Sequence, residues 1–102
     1  MKNLYISIGN SDDKLTQKEW SSFAIDTAGA VRKWGSQLHG EWLSLPHAQF
    51  QNACWCLEIL EDDMDGLRGE LARLATQYQQ DAIAWAEATF FEITPIEAPE
   101  IG

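Results

Sequence analysis

Leu4, Ile6 and Ile8 alternate with Tyr5 and Ser7, the period-two pattern of a strand with one buried face. Gly9-Asn10-Ser11-Asp12-Asp13 then stops the strand with turn-forming residues. Thr16-Gln17-Lys18-Glu19 has the spacing of a capping box, in which Thr and Glu side chains satisfy each other's backbone donors. Behind it Trp20, Phe23, Ala24, Thr27, Val31 and Trp34 recur on one helical face. This predicts a helix over about Leu15 to Lys33, stopped by Gly35. Gln37 to Ser44 reads as a second strand, with Leu38, Gly40 and Trp42 on one face and His39, Glu41 and Leu43 on the other. Asn52 to Leu60 reads as a third, with Ala53, Trp55, Leu57 and Ile59 against Asn52, Cys54, Cys56 and Glu58. Trp42 and Trp55 are both expected to face inward.

Carboxylates at Glu61, Asp62 and Asp63 favour a helix start, and Met64, Leu67, Leu71, Leu74, Ala75 and Tyr78 carry the stripe to about Gln80. Ala82 to Ile93 predicts a fourth strand whose phase shifts near Ala88 or Thr89, as a bulge would shift it. The order is strand–helix–strand–strand–helix–strand. This predicts an α+β fold of the ferredoxin-like type: a four-stranded antiparallel sheet with two helices on one face. Right-handed crossovers put strands one and three in the centre. One domain is expected over residues 1–93. Residues 94–102, with two prolines and two glutamates, read as an arm or a disordered tail.

Composition narrows the function classes. The chain has 102 residues, 45% of them hydrophobic and 23% charged, with five Trp, so it has the make-up of one small globular domain. Its formal charge of −9 speaks against direct contact with a nucleic-acid backbone. No apolar run suits a signal peptide or a membrane span, so no membrane partner is expected. The expected location is the cytoplasm. Cys54 and Cys56, too close in a strand to bridge without strain, are expected to be free thiols.

Four segments carry a resemblance: Ser7 to Lys14, His39-Gly40-Glu41-Trp42, Gln51 to Trp55, and Ile83-Ala84-Trp85-Ala86. Together they resemble a group of small proteins of phages and actinobacterial genomes, over roughly residues 3–93. The resemblance implies a small accessory protein, a viral protein of the host cytoplasm. It implies no activity and no residue roles.

The topology brings one polar rim together, because the ends of strands one and two share an edge with the starts of strands three and four. Asn10, Ser11, Asp12, Asp13, His47, Gln51 and Asn52 gather there as a candidate ligand-binding set, together with Ser44 and Asp81. The N-terminus of the first helix points at the same edge. The competing explanation is ordinary turn chemistry, which selects the same residue types. The uncovered sheet face is the second candidate, with Tyr5, Cys54, Cys56 and Trp85 as interface residues. If Leu43 pairs with Asn52, then Glu41 lies opposite Cys54 and His39 opposite Cys56, a set with zinc-ligand chemistry but loose spacing. Packing against another subunit is the preferred reading, and no metal or cofactor is expected. Glu61-x-Asp63-x-Asp65-Gly66 imitates the opening of a calcium loop, but Ala72 stands where the bidentate Glu is required, so it reads as a helix start.

No nucleophile elbow, phosphate loop or dinucleotide fingerprint occurs, and no catalytic residue stands out. The sequence therefore points to a non-enzymatic accessory protein that binds a small polar ligand or signal as a homo-oligomer. The alternatives are an acidic inhibitor of a basic, nucleic-acid-binding host protein, and a small enzyme acting at the rim.

Overall fold

The computed structural model describes residues 1–10 and 12–88. Its elements are β1 (Lys2–Gly9), α1 (Gln17–Trp34), β2 (Gln37–Leu43), β3 (Asn52–Ile59), α2 (Glu61–Gln77) and β4 (Ala84–Ala88). They form one antiparallel sheet in the order β2-β3-β1-β4. This is the expected ferredoxin-like arrangement, with β1 and β3 central. Ser11, the expected phase shift at Thr89, residues 89–93 of the segment read as a fourth strand, and the 94–102 tail lie outside the described residues.

The core sits between the helices and one sheet face. Leu4, Ile6 and Ile8 from β1 and Ala53, Trp55, Leu57 and Ile59 from β3 are buried there. They meet Trp20, Phe23, Ala28, Ala30 and Val31 of α1 and Leu67, Leu71 and Leu74 of α2. Each large apolar side chain so buried contributes about 1.5–3 kcal/mol. The capping box forms as predicted: Glu19 N–H donates to Thr16 Oγ1 at 3.2 Å, and Thr16 N–H donates to Glu19 Oε1 at 3.0 Å.

Gly35 ends α1 as expected, and it does so in an extended conformation. Its φ is −70°, and a Cβ there would lie 2.8 Å from the Val31 carbonyl oxygen and 3.0 Å from Leu57 Cδ1. Close approach to the sheet demands the glycine. Gly66 serves the helix pair likewise, since a Cβ on it would come within 2.4 Å of the Trp34 ring. Trp34 Nε1 in turn donates to Glu70 of α2.

β2 departs from the sequence reading. Leu38 pairs with Leu57, but the next matched pair is Gly40 with Cys56, so His39 forms a bulge. The extra residue reverses the phase of the strand from Gly40 onward. The register becomes Leu43–Ala53, Trp42–Cys54 and Glu41–Trp55, in place of the expected Leu43–Asn52, Glu41–Cys54 and His39–Cys56. Trp42 therefore faces away from the helices and is 57% exposed. Glu41 turns to the helix side, where Arg32 Nη2 of α1 donates to it at 2.8 Å.

At the far end of the helix pair, Tyr78 stacks on Phe23 at 4.9 Å between ring centroids and donates its hydroxyl to Asp26. That hydrogen bond, aided by desolvation, pushes the Tyr78 phenol up to about 12. The folded state then holds a proton that an unfolded chain releases near pH 10. Stability from this contact is complete below about pH 10 and is lost as pH rises toward about 12. Tyr78→Phe is expected to cost about 1 kcal/mol at neutral pH and to flatten the alkaline loss. Urea unfolding measured from about pH 8 to about pH 12 checks both effects.

Candidate functional site

The polar rim assembles as the topology requires, yet its best-placed side chains hold loops together. Asn10 is buried, and its amide pairs with Leu15 as a backbone would: Nδ2 donates to the Leu15 carbonyl at 2.9 Å and Oδ1 accepts from Leu15 N–H at 3.1 Å. Its own N–H donates to the Gln51 carbonyl at 2.8 Å, fixing the β1 end to the start of β3. Gln51, also buried, donates through Nε2 to the carbonyls of Leu45, Pro46 and Ala48 and accepts from Ser44 Oγ. These bonds close the β2–β3 connection around one amide.

The exposed members are less tied down. Asp12 accepts from the Lys14 backbone N–H, and Lys14 Nζ bridges Asp12 and Asp81 at 3.6 and 3.5 Å. Asp13 has a φ of 57°, the left-handed region that Asp tolerates. His47 is exposed in the connection, and Asn52 Nδ2 donates to the Phe50 carbonyl at 3.3 Å. A recess of about 390 Å³ separates the start of α1 from Ala48 and Gln49.

The opposite sheet face carries a different chemistry, and no element among the described residues covers it. The pairings align two rows across all four strands. One runs Trp42, Cys54, Ser7, Ala84; the other runs Gly40, Cys56, Tyr5, Ala86. Trp42 and the 45% exposed Tyr5 stand among glycine, alanine, serine and cysteine. A third row holds Gln37, Glu58, Asn3 and Ala88, and there the bulged His39 meets Glu58 through Nε2 at 3.2 Å. The Cys56 thiol, register partner of Tyr5, raises that phenol above its usual value. Both cysteines are free and half-buried.

One expected interface residue and one alternative constellation come apart here. Trp85 does not join the open face, because it pairs with Ile6 and so shares the helix side. There it lies under Arg68, whose guanidinium is 4.5 Å from the ring centroid, in a groove of about 540 Å³ between α2 and β4. The zinc-ligand set does not converge, because the bulge sends Glu41 to the face opposite Cys54 and Cys56. Among the described residues, no group of three or more His, Cys, Asp or Glu side chains is placed to hold a metal.

Sequence reasoning missed Trp42, which it assigned to the core. The available signal was Gly40, since a glycine inside a strand pattern marks a bulge. The acidic segment at Glu61 to Asp63 forms the first turn of α2, as its composition suggested. Among the described residues, no helix is long and apolar enough to cross a membrane. No protein-family model matches the chain, and no curated protein does.

The rim geometry separates structural from free positions. Asn10→Ala strands two polar groups of Leu15 and is expected to cost about 2–3 kcal/mol, with Gln51→Ala similar. His47→Ala is expected to stay within about 0.5 kcal/mol of the parent. Thermal unfolding of the three variants checks the ranking; equal melting temperatures for Asn10→Ala and His47→Ala would contradict it.

Proposed function

We propose that this protein acts by binding rather than turnover, as an accessory module that engages another polypeptide through its open sheet face. The observation that carries this reading is the pair Trp42 and Tyr5, exposed on a sheet face of small side chains. Large rigid rings with little conformational entropy to lose are the groups that dominate protein interfaces. Depletion of charge at the centre of a patch is a second mark of such interfaces. Among the described residues of the three rows, the one carboxylate is Glu58, already engaged by His39. An accessory protein, as implied by the resemblance to small phage proteins, would act in this way by occupying a partner.

A small polar ligand at the rim is the second reading, favoured by the recess beside the start of α1. It is weaker, because Asn10 and Gln51 already use their hydrogen-bonding groups on Leu15 and on the β2–β3 connection. The inhibitor reading draws on the −9 charge, but the acidic first turn of α2 lies on the helix layer, away from the aromatic pair.

Photo-crosslinking in cells tests the choice. A benzophenone amino acid is placed at position 42, at position 47 on the rim, or at position 25, an exposed helix site. Adducts of discrete mass from position 42 alone are expected. Adducts from position 47 and none from position 42 would move the function to the rim.

A further inference from the structure

We propose that the occupant of the open face is a second copy of this chain, in a two-fold dimer whose axis runs along the strands between β1 and β3. This rests on the binding-face reading and names its partner. Such an axis reverses the order of the strands, laying β2 of one copy over β4 of the other and β3 over β1. The first row then meets its own reverse: Trp42 lies on Ala84 of the second copy, and Cys54 on Ser7. In the second row Tyr5 meets Cys56, and Gly40 meets Ala86. Every large side chain of the two rows falls on a small one, and no ring is forced against a ring. A surface that is complementary to itself in this way is what an isologous interface requires. Face-to-face sheets with near-aligned strands are also a standard packing.

Charge and area agree with a copy as the occupant. Acidic residues that would attract a basic protein, such as Glu61, Asp62 and Asp65, sit on α2 behind the sheet. To a basic partner the face itself offers Glu58, which His39 already engages. Four strands at about 4.8 Å spacing, with five to eight residues each, give roughly 450 Å² in plan per copy. A pair of faces with their aromatic relief buries roughly 1,000 Å², the lower bound of a specific interface. The dimer is therefore weak and reversible. Edge pairing through β2 is the poorer route, because the His39 bulge interrupts that edge.

Two copies each carrying −9 repel at long range, so screening strengthens the dimer. Sedimentation equilibrium of the purified chain is expected to show a concentration-dependent rise from 11.5 kDa toward twice that mass. The dimer fraction should grow between low salt and about 0.5 M salt. W42A removes the large side chain and A84W fills its socket, so each alone is expected to weaken association at least about tenfold. The double variant W42A/A84W exchanges the two and restores it. A monomer at all concentrations and salts, or a dimer untouched by W42A, overturns the proposal. So does a double variant as weak as the single ones. A monomer that still crosslinks from position 42 to a different protein overturns the second copy alone, whereas silence at position 42 removes the binding face itself.

Discussion

Two helices can cover only one side of a four-stranded sheet, and that one-sidedness governs everything else in this molecule. The alternation in β1 and β3 is set by it. Leu4, Ile6, Ile8, Ala53, Trp55, Leu57 and Ile59 are buried under the helices, while their neighbours face outward. A one-residue slip would exchange the two sets, so the hydrophobic pattern holds the central register firmly. The same constraint leaves a second face whose character is decided by the residues between the core positions. In the two central rows those are small, apart from Tyr5 and Trp42.

Trp42 reaches that face through a local event. Read as an unbroken strand, Gln37 to Ser44 sends Leu38, Gly40 and Trp42 inward together. The bulge at His39 keeps Leu38 against the core and turns Gly40 and Trp42 outward. It also gives Glu41 an ion pair with Arg32 on the helix side and brings His39 beside Glu58 on the other. One inserted residue thus sets an aromatic side chain on the open face, breaks the regular edge of β2 and removes a metal-like constellation.

Legibility in the sequence followed the range of the interactions involved. Strands, helices, the Thr16–Glu19 box and the ferredoxin-like order all rest on local periodicity and capping, and all were readable. The register of β2 depends on a long-range pairing, with only Gly40 as a local sign of the bulge. Trp85 was equally opaque, because alanines flank it on both sides and leave its phase undefined; its pairing with Ile6 decides the face. The rim was legible as a place but not as a role. Asn10 and Gln51 look alike whether they bind a ligand or a neighbouring loop, and only their bonds to Leu15 and to the β2–β3 connection distinguish the two.

The central proposal is that two copies of this chain meet through the open face bearing Trp42 and Tyr5. Carbene footprinting of the purified chain across a range of protein concentrations tests it most directly, with Ile25 on α1 as the internal reference, since it is 67% exposed. The account predicts that labelling of Trp42 and Tyr5 falls together as concentration rises while labelling of Ile25 stays constant. Labelling of all three that is unchanged by concentration, or protection that appears at Ile25 and spares Trp42, would contradict it.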